Sequence, residues 1–239
     1  MGDTRATVLE TIADTLIERA EALPFRVLQV AVTGITASGK STLAQELAQI
    51  LTRRGRSSVH IAVDDFHNPR DLRHRRGRES AEGYYFDAYN YWLLKKLVLE
   101  PLGLGGNLIY QARGFDLETD APVEEALNKA NPGDIFLFAA SFLLRPEIVS
   151  YFDYRIYIDT DFDVAEQRGV NRDAARLGSW ENAVRLYRQR YHAAQRIYFA
   201  ESNPVQYADA LLKNNGGLNF QHYKHLAQTA ERGKFDMLF

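Results

Sequence analysis

Gly34-Ile35-Thr36-Ala37-Ser38-Gly39-Lys40-Ser41-Thr42 reads G-x-x-x-x-G-K-[ST] in full. Its flanks decide what that means. Upstream, Val27-Leu28-Gln29-Val30-Ala31-Val32 is a short apolar run rich in β-branched residues, the pattern of a buried parallel strand. Downstream, Thr42 to Leu51 sets Leu43, Leu47, Ile50 and Leu51 on one helical face. Strand, glycine loop and helix is the setting in which the motif binds phosphate; without it the glycines would mark only a turn before an ordinary helix. Glycines let the backbone wrap an anion, while loop N–H groups and the helix N-terminus point at it. The expected nucleotide-binding set is Gly34, Thr36, Ala37, Ser38, Gly39, Lys40, Ser41 and Thr42. Within it, Lys40 reaches the β/γ-phosphates of ATP and Ser41 ligates Mg²⁺.

The bulk properties narrow the classes around this motif. A chain of 239 residues reads as one domain over 1–239, with an N-terminal helix at 7–23, a core at 26–213 and a tail at 214–239. Hydrophobic residues at 46% and charged residues at 25% fit a soluble globular protein. A net charge of −2 predicts no general attraction to nucleic acid or to anionic lipid. The absence of cysteine excludes disulfides and thiolate zinc sites and fits a reducing cytoplasm. No apolar run is long enough to span a membrane, and the N-terminal stretch lacks a signal-peptide core. Met1-Gly2 opens like a myristoylation signal, but Ala6 stands where Ser or Thr is required. An oligomer is compatible with all of this.

Along the chain, Val8, Leu9, Ile12, Ala13, Leu16, Ile17, Ala20 and Leu23 have helical spacing and end at Pro24, predicting a helix beside the sheet or one that meets a partner. Ser58 to Val63 predicts a second strand, ending on Asp64-Asp65-Phe66-His67. Acids at the C-terminal end of a strand sit where open α/β sheets bind ligands. Residues 70–78 carry Arg70, Arg73, Arg75, Arg76 and Arg78, either a solvated segment or a flap that collects anionic charge. The aromatics from Tyr84 to Trp92 suit either core packing or stacking on a base. A helix is expected from Asn90 to Glu100, stopped by Pro101, then a short strand at Leu108-Ile109-Tyr110 and a modest helix from Val123 to Ala130. Asp134 to Ala139 and Tyr154 to Asp159 read as buried strands, and Ala208 to Lys213 as a last one. A helix from Thr160-Asp161 carries Arg168, Arg172 and Arg176 on one face, and another runs from Trp180 to Ala200. The tail beyond Gly216-Gly217 shows no readable chemistry.

The phosphate loop, the Asp64-Asp65-Phe66-His67 turn, Phe86-Asp87-Ala88-Tyr89, the Phe142 to Glu147 segment and Ile158-Asp159-Thr160-Asp161 together resemble the uridine kinase and phosphoribulokinase family. The resemblance covers most of 27–213. It implies a P-loop α/β fold, a five-stranded parallel sheet of order 2-3-1-4-5 with helices on both faces and a helical lid. It also implies transfer of the ATP γ-phosphoryl group to a substrate hydroxyl. Carried over, Asp64 matches the acid that takes the hydroxyl proton and, with Ser41, organises the metal. Lys40, Arg168 and Arg172 would neutralise the phosphoryl charge. Asp65, Phe66, His67, Asp87 and Tyr110 fall on or near the substrate side. Family members usually carry an acid directly after the strand at 134–138, where this chain has Ala139-Ala140. The expected activity is an ATP- and Mg²⁺-dependent kinase acting on a nucleoside such as uridine or cytidine. The alternatives are a phosphosugar, pantothenate or glycerate as acceptor, or a nucleotide-binding regulatory protein with little turnover.

Overall fold

Leu28–Gly34 (β1) lies in the middle of the central sheet, and all seven of its residues are buried. The computed structural model describes residues 5–214; the Met1-Gly2 start and the tail from 215 onward lie outside the described residues. The other central strands are Ser58–Ala62 (β2), Ile135–Ala139 (β3), Tyr154–Asp159 (β4) and Ala210–Lys213 (β5). All pairings are parallel, and the order is β2-β3-β1-β4-β5, the order implied by the sequence resemblance. A strand buried on both faces needs apolar residues at nearly every position, which explains the run at 27–32, interrupted only by Gln29, and the unbroken run at 135–139.

The two faces are covered by different helices. Leu28, Val30 and Val32 alternate with Leu137 and Ile156 towards Arg5–Glu21 (α1) and Lys40–Arg53 (α2). Helix α1 docks through Leu9, Ile12, Ala13 and Leu16, and each large apolar side chain so buried is worth roughly 1.5–3 kcal/mol. Ion pairs Arg5–Glu46, Arg54–Glu10 and Arg56–Glu21 line the seam, but they are partly solvated and screened, so packing holds the helix. On the other face, Ala31, Phe136, Phe138 and Tyr157 meet the helical run 91–102 and residues Ala194 and Tyr198. Among the described residues, no helix is long and apolar enough to cross a membrane.

Three expectations change in detail. The region Val123 to Ala130 is not helical. Its Val123 N–H donates to the Gly114 carbonyl, its Ala130 N–H donates to the Leu108 carbonyl, and Asn128–Lys129 pairs antiparallel with Ile109–Tyr110. Leu127 is 67% exposed, so a helix there would have had no apolar face to bury. The strand Ile109–Tyr110 therefore belongs to a small ribbon and not to the central sheet. The helix predicted to stop at Pro101 begins as expected, with the Asn90 side chain accepting from the Leu93 N–H, but it passes through π-geometry at Lys95–Leu99 and ends at Leu102. The helix from Trp180 is likewise broken by π-geometry at Tyr187–His192 and continues as a regular helix over Ala193–Ser202.

Candidate active site

Register brings the C-terminal ends of β1, β2 and β3 to one edge, with Val32 and Ala62 both paired to Ala139. The phosphate loop rises from that edge. Gly34 is glycine because a Cβ there would lie 2.6 Å from the Ile158 carbonyl oxygen and 2.8 Å from Ser38 Oγ. Ala37 (φ 64°) and Gly39 (φ 97°) take left-handed backbone angles, which turn successive N–H groups inward to form an anion cradle. The Ser38 hydroxyl is buried without a hydrogen-bond partner. Lys40 Nζ donates to the Ile35 carbonyl at 2.7 Å, folded back on its own loop. Burial pushes the Lys40 ammonium down to about 8, the Asp64 carboxylate opposing this and the Arg172 guanidinium adding to it.

The loop opens into a cleft of about 980 Å³ whose wall includes Thr36, Ala37, Lys40, Ser41, Asp64, His67, Ala139 and Arg172. Asp64 comes from a 3₁₀ turn, Val63–Phe66, that follows β2 directly. That turn is bolted to the segment at 87–90. Asn68 N–H donates to the Ala88 carbonyl, Asn90 N–H to the Phe66 carbonyl, and the Asn68 amide to the Asp87 and Tyr89 carbonyls. The Tyr89 hydroxyl thereby reaches Asp64 Oδ1 at 3.0 Å. The His67 ring stands 4.5 Å from the Tyr89 ring, with Nδ1 at 2.7 Å from the Asp64 carbonyl. Burial lowers the His67 pKa, partly offset by Asp64.

Several expected site residues lie elsewhere. Asp65 is absent from the cleft wall; it faces Arg113 at 3.4 Å, and burial raises its pKa against the pull of that arginine. Phe66 is core. Asp87 is buried and engaged by both Arg75 and Arg76, so its carboxylate does not face the cleft. Tyr110 packs edge-on to Phe136 at 5.1 Å. Phe162–Asp173 (α3) carries the two lid arginines, and they part company. Arg172 lines the cleft, whereas Arg168 donates to the Asn214 carbonyl at 3.2 Å and to its amide oxygen at 3.3 Å. Asn214 in turn donates to the Ser38 carbonyl at 2.8 Å, so Arg168 braces the loop from behind.

Of the aromatics between Tyr84 and Trp92, Tyr84 and Tyr89 line the cleft. The structure also adds Asp173, Arg190 and Tyr191, which sequence reasoning passed over. The Arg190 guanidinium lies over the Tyr84 and Tyr191 rings, at 5.2 and 5.5 Å. No local motif marks Arg190 or Tyr191; both stand in the π-helical segment Tyr187–His192, which borders the cleft. Lys40, Arg70, Arg73, Arg78, Arg172, Arg176 and Arg190 face only Asp64, Glu79 and Asp173 on that wall, a strong cationic excess. Arg73 is paired with Asp120, and Arg172 and Arg176 share Asp173, but Arg70, Arg78 and Arg190 take no ion pair among the described residues.

A hydroxyl from Ser41 and a carboxylate from Asp64, both on the cleft wall, fit a Mg²⁺ ion that keeps most of its waters and binds substrate phosphates. Among the described residues, no cluster of three or more acids or histidines offers a denser site.

Residues 29–214 match the model of the "Phosphoribulokinase / Uridine kinase family". The chain belongs to that family. Its relatives include "Uridine-cytidine kinase B" of Dictyostelium discoideum, 30% identical over 154 residues, covering 62% of this chain and 59% of that protein. "Uridine kinase" of Clostridium botulinum (strain Kyoto / Type A2) is 25% identical over 210 residues, 85% of this chain and 98% of the relative. The "Possible Uridine Kinase from Bacillus stearothermophilus" shares the fold at a TM-score of 0.63 and 22% identity, over 85% of this chain and 98% of that one. The chain spans less than two thirds of the length of several curated relatives that it matches, the Dictyostelium protein among them.

Proposed function

We propose that this family member is an ATP- and Mg²⁺-dependent phosphotransferase that moves the γ-phosphoryl group to a hydroxyl of a small molecule. The reading is carried by one observation: Lys40, Ser41, Asp64 and Arg172 share one cleft at the C-terminal edge of the sheet. Phosphoryl transfer needs positioning and charge neutralisation more than covalent chemistry. The loop N–H groups and Lys40 hold the β/γ-phosphates. Arg172 faces the same space and balances charge on the moving group. Asp64 takes the acceptor hydroxyl proton, with the Tyr89 hydroxyl donating to its Oδ1. Mg²⁺, held through Ser41 and Asp64, would supply neutralisation of the phosphate oxygens. With Ala139 at the end of β3, that strand would add no acid to Ser41 and Asp64.

A nucleoside such as uridine or cytidine is the acceptor that the relatives' names point to. A second reading, an acceptor that is itself anionic, is favoured by the cleft wall. Among the described residues Arg70, Arg78 and Arg190 take no ion pair there, while Asp87 and Tyr110, the residues expected to hold a nucleoside, lie off it. The test is ADP release with uridine, cytidine, phosphosugars, glycerate and pantothenate, against acceptor-free hydrolysis. Stimulation by an anionic acceptor that Arg78→Ala weakens about tenfold in KM would establish the second reading. Stimulation by uridine or cytidine alone would establish the first. No stimulation by any of them would leave a nucleotide-binding protein with little turnover.

A further inference from the structure

Arg172 reaches the cleft through a device built from Asp173, Tyr187 and Gly169. Asp173, at the end of α3 and buried, receives Arg172 Nε at 3.0 Å on one carboxylate oxygen and Arg172 Nη2 at 3.0 Å on the other. The Tyr187 hydroxyl donates to the second of these oxygens at 2.8 Å, and Arg172 Nη2 lies 3.4 Å from that same hydroxyl. Arg176 approaches the first oxygen at 3.5 Å.

Tyr187 gets there by crossing α3 at Gly169. A Cβ at residue 169 would lie 2.1–2.2 Å from the Tyr187 ring atoms, so any other residue would displace the ring. The ring is fully buried with Val170 and Ala183, and Ala37 of the phosphate loop packs against the same cluster. The base of the lid is thus joined to the loop by apolar contact. Arg168, one turn earlier, lacks such a brace and points to Asn214.

We infer that Tyr187 and Asp173 are positioning residues that set the Arg172 guanidinium in the cleft before nucleotide arrives, and that Gly169 is glycine to admit the Tyr187 ring. The inference rests on the phosphotransfer reading above. A free arginine loses its rotamer freedom when it closes on phosphate; one chelated by a buried carboxylate has lost it already during folding. A planar, bidentate partner also fixes the direction of the remaining N–H donors. Preorganisation of this kind favours charge that develops on the moving phosphoryl group more than it favours ground-state nucleotide.

Tyr187→Phe keeps the ring against Gly169 and removes only the hydroxyl. Calorimetric affinities for ADP–Mg²⁺ and for ADP–Mg²⁺ with aluminium fluoride, a mimic of the transferring phosphoryl group, read the effect without needing an acceptor. Expected for Tyr187→Phe are an ADP affinity within about twofold of wild type, a fluoride-complex affinity about tenfold weaker, and a melting temperature within a few degrees. In an Arg172→Ala background the same change should do nothing further. The inference is overturned if Tyr187→Phe binds the fluoride complex like wild type, or if its loss persists in full without Arg172. It is overturned as well if Arg172→Ala itself leaves fluoride-complex affinity unchanged. In that last case Lys40-dependent ADP binding and acceptor-stimulated turnover would still stand, so the two readings fail separately.

Discussion

On the proposed reading, the phosphate half of the cleft and its acceptor half are built by different kinds of contact. On the phosphate side, Thr36, Ala37, Lys40 and Ser41 come from one loop, and its cradle is set by local backbone angles at Ala37 and Gly39 and by close packing at Gly34. On the acceptor side, Asp64, Tyr89 and Arg190 come from segments far apart in the chain, joined by the His67–Tyr89 bridge, the Asn68 amide and the π-turn at Tyr187–His192. Local geometry follows from a short motif wherever it folds. A wall assembled from distant segments can change its charge and shape while the phosphate loop stays as it is, which suits one scaffold serving many acceptors.

The largest effect expected on this contrast is in the phosphate half. Lys40→Ala should lower turnover about a hundredfold or more and sharply weaken ATP–Mg²⁺ binding, because the loop loses its only cationic side chain. Titration calorimetry measures the binding; unchanged affinity would place the phosphates outside this loop.

Next comes the hinge between the halves. Asp64→Asn should lower kcat about a hundredfold with little change in the acceptor KM, since a general base acts mainly in the transition state, and with a smaller rise in the KM of ATP–Mg²⁺ from its share in holding the metal. Asp65→Asn, on a side chain facing Arg113, should be much milder. Steady-state kinetics on the pair sharpens the comparison, and a crippled Asp65→Asn enzyme beside an active Asp64→Asn one would move the base by one residue.

The smallest effect is a proton count. In the free protein Lys40 titrates at about 8, and bound polyphosphate must raise that value. At about pH 7 Lys40 is mostly charged in both states, and binding takes up no more than about a tenth of a proton there. At about pH 9 the free lysine is mostly neutral, so ATP binding should take up a fraction of a proton. Calorimetry in two buffers of different ionisation enthalpy reads this as an enthalpy difference at high pH, and Lys40→Ala should abolish it. Equal enthalpies at high pH would mean that Lys40 is already fully charged in the free loop.

Much of the architecture was legible in the residues because it rests on short-range patterns. Nearly continuous apolar runs require strands buried on both faces, the G-x-x-x-x-G-K-[ST] loop requires a strand before it and a helix after it, and Asn90 and Ser179 cap helices where capping chemistry places them. The placement of Asp64 at the end of β2 was legible for the same reason. Helix spacing put Arg168 and Arg172 on one face, but only tertiary structure decided that Asn214 takes the first while Asp173 and Tyr187 aim the second into the cleft. Likewise, nothing local told Asp87 that Arg75 and Arg76 would close over it, or Tyr110 that Phe136 would be its neighbour. The physical reason is range. Backbone angles, caps and burial periodicity are set within a few residues, whereas the partner of a long charged or aromatic side chain is whichever group the folded chain brings within reach.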